Sequence, residues 1–194
     1  MTSRIFIEEI ASEELLRSAA TEDDRAYVAA FGSARRRCEV LAWRNLVRRE
    51  VGRDCHIGYE ACGAPIITNP NIHIGVSHCC DRVAVILAEK PCAIDIETTE
   101  RNFAGVAERF LTPEELRLSG DELLLGRLWC AKEAAYKLCR TSSLNLREDI
   151  QITEYLPAVE RFTAVIRGTQ RICGYFRVEA HHIVAIIESD AFND

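Results

Sequence analysis

A short run, Ala93-Ile94-Asp95-Ile96-Glu97, alternates apolar and acidic side chains. Successive side chains of a β-strand point to opposite faces, so the two isoleucines are predicted to share one face. Asp95 and Glu97 then share the other face, roughly 6–7 Å apart, which is close enough for both to bind one small cation. The alternative is the solvated face of an edge strand. Asp95 disfavours it, because this residue lies within a hydrophobic stretch where an unpaired carboxylate is costly.

A second run, Trp129-Cys130-Ala131-Lys132-Glu133-Ala134-Ala135-Tyr136-Lys137, lies in a segment from 123 to 140 that is predicted to be helical. Glu133 and Lys137 are four residues apart, which places their Cβ atoms about 5–6 Å from each other on one helix face. A carboxylate beside an ammonium group can hold a metal and a phosphate together. The alternative is an ordinary surface pair, worth about 0.3–0.5 kcal/mol.

Length and composition limit the classes of protein that need to be considered. At 194 residues with 48% hydrophobic content, the chain can form one domain or two packed halves with a real core. A net charge of −6 argues against nonspecific nucleic-acid binding. No apolar run approaches a membrane span of about 18 residues, and the acidic N-terminal segment argues against a signal peptide. Nine cysteines without a CxxC pair predict reduced thiols in a cytoplasmic protein.

The pattern of apolar residues and breakers predicts an α+β fold. Helices are predicted at about 12–30, 34–51, 103–110, 113–118 and 122–140. Strands are predicted near Ile5 and at about 72–76, 83–88, 93–97, 149–154, 161–167, 171–179 and 182–188. Thr112, Pro113 and Glu115 supply a cap, a first-turn proline and a capping-box glutamate for one helix start.

The helix predicted at 34–51 is rich in arginine: Arg35, Arg36, Arg37, Arg44, Arg48 and Arg49 lie in it, and Arg53 follows. Arg35, Arg49 and Arg53 are predicted to be solvated. Arg44 falls inside the apolar arc of the helical wheel and therefore needs an anionic partner. That partner is either a phosphate, which suits a planar guanidinium, or a buried carboxylate, and the sequence leaves both open. Arg37 lies about 20° from Arg44 on the wheel and is predicted to share its role.

Two further segments complete a recognisable order of motifs. Ile74-Gly75-Val76-Ser77-His78 lies upstream, and Arg109-Phe110-Leu111-Thr112-Pro113-Glu114-Glu115 lies between the first two runs. The order Ser-His, Asp-x-Glu, Phe-x-x-x-x-Glu and Trp-x-x-Lys-Glu-x-x-x-Lys resembles that of the 4′-phosphopantetheinyl transferases. Within them it is most similar to the long, pseudodimeric type that activates surfactin synthetase. The resemblance runs from about Arg35 to Arg140, somewhat over half the chain.

The resemblance implies two similar halves related by a pseudo-twofold, each an antiparallel sheet packed with helices, with the site between them. The predicted division is 1–98, which ends with the Asp-x-Glu strand, and 99–194, which holds the Lys-Glu-x-x-x-Lys helix. The implied reaction is holo-[acyl-carrier-protein] synthase chemistry. It moves 4′-phosphopantetheine from coenzyme A to a serine of an acyl or peptidyl carrier protein and leaves 3′,5′-ADP. The family also implies dependence on Mg²⁺, a monomer, and a place in fatty-acid, polyketide or nonribosomal peptide biosynthesis.

The resemblance also assigns roles to single residues. Asp95, Glu97 and Glu133 are predicted to hold Mg²⁺. Glu133 or a metal-activated water is predicted to deprotonate the serine, and Glu115 is a second candidate, as a base or as a ligand through water. Residues predicted to contact coenzyme A are Ser77, His78, Arg44, Arg37, Lys132 and Lys137. Within this set, Ser77 and His78 would touch the diphosphate, Lys137 would neutralise phosphate charge, and Lys132 would contact the diphosphate or the carrier.

The chain departs from the family pattern in places. The family often has Gly-Lys-Pro ahead of Ser-His, where this chain has Gly63-Ala64-Pro65, so one phosphate contact is predicted to be lost. Ala93 stands where the family usually has glycine. These changes keep a second hypothesis open, a catalytically weak protein that binds coenzyme A or a partner. A metal-dependent nuclease is disfavoured by the Glu-x-x-x-Lys spacing and by the acidic net charge.

Overall fold

The computed structural model describes residues 3–118 and 121–188, which form two antiparallel five-stranded sheets packed with helices. The first sheet contains β1 (Arg4–Glu9), β2 (His56–Tyr59), β3 (Pro65–Asn69), β4 (Asn71–Cys79) and β5 (Arg82–Ala88). The second contains β6 (Cys92–Thr98), β7 (Ile150–Leu156), β8 (Arg161–Ile166), β9 (Gln170–Glu179) and β10 (His182–Glu188). The helices are α1 (Glu13–Ala19), α2 (Glu22–Ala29), α3 (Ala34–Val51), α4 (Ala107–Phe110) and α5 (Leu124–Cys139). The predicted α+β class with two similar halves is confirmed.

The two sheets repeat one strand order. The first runs β1-β5-β4-β3-β2 and the second β6-β10-β9-β8-β7, so the orders are identical when each sheet is numbered from its own first strand. In each repeat a long helix, α3 or α5, connects the first strand to the other four. Strand β6 belongs to the second sheet, because Asp95 lies opposite Ala185 of β10. The predicted division at residue 98 stays a prediction, and it would separate β6 from its hydrogen-bonded partner.

The halves meet along β4 and β6. A Cβ atom on Gly75 would lie 3.1 Å from Ala93 Cα and 3.1 Å from Ile94 N, so only glycine permits this approach of the two strands. Ile94 and Ile96 are buried in an apolar cluster between the two sheets, with Ile86 from β5 and Ile186 from β10. Because side chains alternate along β6, Asp95 and Glu97 point to the opposite side, toward α5.

Several predicted elements differ from those observed. The helix predicted at 12–30 is two helices, because Ala20 is extended and Thr21 caps α2 by accepting a hydrogen bond from Asp24 N. The helices predicted at 103–110 and 113–118 are mainly 3₁₀ turns, Ala104–Val106 and Glu115–Arg117, beside the single turn of α4. The short strands β2 and β3 were not predicted, since they hold only four and five residues and include Gly58 and Pro65. Among the described helices, none combines the length and apolar character that crossing a membrane requires.

Candidate active site

A cavity of about 490 Å³ lies where β4, β6, α3, α5 and the β2–β3 loop converge. It brings together six of the residues predicted from sequence: Ser77, His78, Asp95, Glu97, Glu133 and Lys137. Helix α5 approaches β6 closely because Ala131, Ala134 and Ala135 on its buried face are small. Glu133 and Lys137 therefore reach the edge of the sheet where Asp95 and Glu97 point.

Asp95 is the centre of a polar network that joins the two sheets. It is 4% exposed, and its Oδ1 accepts hydrogen bonds from Ser77 Oγ at 2.8 Å and from Lys137 Nζ at 2.6 Å. Lys137 Nζ also donates to Ser77 Oγ at 2.9 Å. Ser77 lies on β4, Asp95 on β6 and Lys137 on α5, so three elements fix the ammonium group in the cavity.

The other two carboxylates lie in a partly apolar setting. Burial raises the pKa of Glu133, and the charge of Asp95 raises it further. Burial also raises the pKa of Glu97. The positive charge of Arg101 opposes this rise, and the negative charge of Asp95 adds to it. Arg101 forms an ion pair with Glu97, and its guanidinium lies 4.7 Å from the centre of the Trp129 ring. Crowded carboxylates of this kind favour a bound cation.

The side chains beside the cavity include oxygen ligands of the type that a hard divalent cation binds. Asp95 Oδ2 is buried and has no hydrogen-bond partner among the described residues, so it is an oxygen still available to a ligand. Glu97 and Glu133 add carboxylate oxygens on the same cavity wall, which is the ligand chemistry that Mg²⁺ prefers. Among the described side chains no three acidic, histidine or cysteine groups are arranged as a metal site. Lys137 and Arg101 instead supply the positive charge beside Asp95 and Glu97.

Arg36, His78 and Arg140 also line the cavity. Arg36 Nη1 donates a hydrogen bond to His78 Nε2 at 2.8 Å. Burial lowers the pKa of His78, and the negative charge of Glu39 opposes that shift. Arg140, at the C-terminal end of α5, forms an ion pair with Glu60 across the halves at 2.7 Å. Sequence reasoning gave no role to Arg36 or Arg140. Their signals were weak, because one is a member of an arginine run and the other a helix-terminal residue.

Residues 91–187 match the sequence model of the 4′-phosphopantetheinyl transferase superfamily. The chain belongs to that superfamily. The matched segment includes Asp95, Glu97, Glu133 and Lys137, and it supports a phosphopantetheinyl transferase activity in general terms. A search of proteins with curated functions gave no match to the sequence.

Arg44 of this transferase has a carboxylate partner, which was one of the two alternatives. It is 4% exposed, and its Nε donates to Asp24 Oδ1 at 2.5 Å. Arg48 also pairs with Asp24. Burial alone would raise the pKa of Asp24, but hydrogen bonds from Arg48 and Arg44 outweigh it and lower the pKa. Arg44 does not line the cavity, so the phosphate-binding role predicted for it is corrected to a buried ion pair.

Arg37 is also outside the cavity. Its Nε donates to Glu13 Oε1 at 2.7 Å, and its Nη1 donates to the carbonyl of Phe31 at 2.9 Å. The predicted contact with coenzyme A is therefore corrected to an ion pair between α3 and α1. Helical-wheel reasoning failed here because Arg37 and Arg44 are two turns apart, and different neighbours cover those turns.

Lys132 and Glu115 form a second buried ion pair away from the cavity. Lys132 is fully buried, and its Nζ lies 2.8 Å from Glu115 Oε1. It also donates to the carbonyls of Leu146 and Ile150, at 2.9 and 2.6 Å. Burial lowers the pKa of Lys132, and Glu115 opposes that shift. The roles predicted for Lys132 with diphosphate or carrier, and for Glu115 as base or water-bridged ligand, are corrected to structural ones.

The two buried pairs are counterparts in the repeat. Thr21 Oγ1 accepts from Asp24 N at 3.2 Å, and Asp24 pairs with Arg44 on α3. In the second half Thr112 Oγ1 accepts from Glu115 N at 3.3 Å, and Glu115 pairs with Lys132 on α5. In each half, a threonine thus accepts a hydrogen bond from the backbone of an acidic residue three positions later. That acidic side chain pairs with a cation on the long helix of the same half, α3 or α5. The presence of this arrangement in both halves favours a structural role.

The carboxylate pair, in contrast, occurs in one repeat alone. Glu8 lies opposite Val83, the second residue of β5, just as Glu97 lies opposite Ile183, the second residue of β10. Two residues earlier, however, the first repeat has Phe6 where the second has Asp95. Because phenylalanine cannot bind a cation through oxygen, the first strand lacks the acidic pair.

Proposed function

We propose that this protein is a transferase of the long, pseudodimeric type. It moves 4′-phosphopantetheine from coenzyme A to a serine of an acyl or peptidyl carrier protein, in the presence of Mg²⁺. The supporting observation is the network of Ser77, Asp95 and Lys137, which joins the two halves in one cavity beside Glu97 and Glu133. This placement puts an ammonium group, a serine hydroxyl and three carboxylates where a diphosphate and a hydroxyl nucleophile could meet.

The chain's own residues account for most of the chemistry. The serine oxygen forms a bond to the phosphorus that carries pantetheine, the bond from that phosphorus to the ADP oxygen breaks, and 3′,5′-ADP leaves. Lys137 stabilises charge on the phosphoryl oxygens, and Ser77 and His78 orient the diphosphate. The proton of the serine passes to Glu133 or to a water molecule beside it. Asp95, Glu97 and Glu133 would hold the Mg²⁺, which when bound neutralises diphosphate charge.

Other parts of the proposal concern the setting of the reaction. The cavity takes residues from both sheets of one chain, so one copy can complete it as a monomer. All nine cysteines carry free thiols, which suits the reducing cytoplasm. The arginine-rich helix α3 could attract an acidic carrier protein.

A catalytically weak protein that binds coenzyme A is the second candidate. The observation favouring it is Ala64, which lines the cavity where the family tends to place lysine. Without that ammonium group, the cavity offers one cation fewer to the phosphates.

Transfer to a carrier protein separates the two candidates. We expect an apo carrier protein incubated with coenzyme A, Mg²⁺ and this protein to gain the mass of one phosphopantetheine group, measured by intact-mass spectrometry. A carrier with its acceptor serine changed to alanine is the control and should gain nothing. Binding of coenzyme A without a mass gain on several carriers would favour the weak-binding candidate. Absence of both binding and transfer would contradict both.

Restoring the family lysine should strengthen coenzyme binding. Ala64 lies in the tight turn after Glu60, so a longer side chain there can enter the cavity. A new phosphate contact near the surface is worth about 0.5–1.5 kcal/mol, so Ala64→Lys should lower the Kd for coenzyme A roughly 2–10-fold. Calorimetry should show a smaller gain at high salt, where exposed charge pairs are screened over about 10 Å or less.

The neighbouring residue Ala61 provides the control for this prediction. It is exposed in the same turn but does not line the cavity, so Ala61→Lys adds the same charge without the contact. If the new lysine contacts the 3′-phosphate, Ala64→Lys should increase the affinity for dephospho-coenzyme A, which lacks that phosphate, less than the affinity for coenzyme A. Equal effects of the two lysines would mean that general charge, and not a local contact, strengthens binding.

A further inference from the structure

Glu39 is a buried carboxylate surrounded by positive side chains at the edge of the cavity. It is 6% exposed, and its oxygens lie 2.9 Å from Arg35 Nε and 3.4 Å from Arg36 Nη1. Its Oε1 is also 3.5 Å from His78 Nδ1. Arg36 and His78 line the cavity, whereas Glu39 is behind them and does not. A ligand in the cavity would therefore meet Arg36 and His78 and not the carboxylate.

The hydrogen bonds define how these three side chains are oriented. A guanidinium group only donates, so His78 Nε2 must accept the hydrogen bond from Arg36 Nη1 at 2.8 Å. A neutral imidazole has one protonated nitrogen, so the proton is on Nδ1, which faces Glu39. Arg36 thus hydrogen-bonds to both Glu39 and His78, and His78 Nδ1 lies 3.5 Å from Glu39 Oε1, so the three side chains form one cluster.

The backbone adds a further restraint on this group. Ser33 caps α3, and its Oγ accepts a hydrogen bond from the backbone N–H of Arg36 at 3.3 Å. Glu39 follows one turn later on the same helix, and His78 comes from β4. The cluster therefore connects the start of α3 to the strand that carries Ser77, beside the polar network of Asp95 and Lys137.

We infer that Glu39 is a positioning residue that, together with His78, holds Arg36 in the orientation in which its guanidinium contacts a phosphate group of coenzyme A. This inference rests on the proposed function. Arg36 would supply a phosphate contact of the kind that Ala64 lacks, and Glu39 would reduce the conformational freedom that Arg36 loses on binding. The residue acts through its neighbours and not on the ligand.

A purely electrostatic role for Glu39 predicts the opposite result. If Glu39 only reduced the positive charge of the cavity, removing it would make the site more cationic and tighten the binding of an anion. If it positions Arg36 and His78, removing it weakens binding although the site gains positive charge. The sign of the change in affinity therefore distinguishes the two roles.

Calorimetry with coenzyme A measures that sign. We expect Glu39→Ala to raise the Kd about tenfold, and Glu39→Gln, which keeps an acceptor oxygen, to raise it less than about threefold. Glu13→Ala is the matched control. Glu13 pairs with Arg37, which lies on α3 like Glu39 but outside the cavity, so the Kd of this variant for coenzyme A should equal that of the wild type. Tighter binding by Glu39→Ala and Glu39→Gln would overturn the inference. If Glu39→Ala does not fold, Glu39→Met, which keeps the volume without an acceptor, takes its place.

Nitrogen NMR of the His78 ring tests the positioning independently of coenzyme A. We expect the wild-type protein and Glu39→Gln to show a proton on Nδ1, and Glu39→Ala to show a mixture of tautomers. An unchanged Nδ1-protonated ring in Glu39→Ala would overturn the inference even if the protein binds coenzyme A. Failure of the wild-type protein to bind coenzyme A would instead contradict the proposed function, while the ring spectra would still decide whether Glu39 orients His78.

Discussion

Asp95→Asn should lower phosphopantetheine transfer by at least about 10²-fold at saturating Mg²⁺, the loss typical when a preorganised charge is removed from a reacting centre. Asp95 Oδ2 is the buried oxygen without a hydrogen-bond partner among the described residues, and Oδ1 holds Lys137. Asparagine keeps the shape and one acceptor but removes the charge. Glu97→Gln and Glu133→Gln should cause losses of similar size. Initial rates of carrier modification measure the effect.

The Asp95 variant should remain folded. The amide oxygen can still accept from Ser77 and Lys137, and loss of one carboxylate reduces repulsion with Glu97 and Glu133. Its free energy of unfolding in urea should fall less than that of a variant at a fully buried ion pair, because the Lys137 side chain is 30% exposed and water can solvate its ammonium group. Glu100→Gln, an exposed change just after β6, is the control for transfer. Near-wild-type transfer by Asp95→Asn, or Mg²⁺ binding of unchanged affinity by calorimetry, would contradict the assignment.

Asp24→Asn should destabilise the fold by about 3–5 kcal/mol, the usual cost of removing one partner from a buried ion pair. Asp24 is fully buried, and its two oxygens face Arg44 and Arg48, which would be left without their counter-ion. Urea denaturation monitored by circular dichroism measures the change. The kcat and the KM for coenzyme A of the folded protein should stay nearly unchanged, because neither arginine lines the cavity.

The repeat provides a matched comparison for this prediction. Glu115→Gln should destabilise the protein to a similar degree, since it leaves Lys132 buried without its carboxylate. The folded state lowers the pKa of Asp24. The contribution of Asp24 to the free energy of unfolding is therefore complete above pH 3.8, its ordinary pKa, and is lost as the pH falls through the lowered pKa. Asp24→Asn should therefore flatten the acid limb of the stability profile. If Asp24→Asn instead raises the KM for coenzyme A strongly without loss of stability, Arg44 contacts the coenzyme and the assignment to a structural ion pair is wrong.

The site was largely predictable where local geometry specifies it. Alternation along a strand placed Asp95 and Glu97 on one face, and helical spacing placed Glu133 beside Lys137, because backbone geometry alone fixes these relations. The structure brings the four into one cavity with Ser77 and His78. The short strands β2 and β3 escaped prediction because four or five residues carry little periodic signal.

The partners of the charged residues depended on the tertiary structure. The sequence showed that Arg44 lies on an apolar face and needs an anion, but Asp24 is 20 residues away, and only the packing of α2 on α3 makes it the partner. The same holds for Lys132, whose carboxylate comes from a turn on another element. The sequence by itself thus determined the fold class and the order of motifs, and with the family resemblance it predicted the carboxylates and the lysine of the candidate site, whose pairwise placement follows from local spacing. Only the tertiary structure decided which cations face the cavity, because burying a charge requires a partner and the fold determines which partner is in reach.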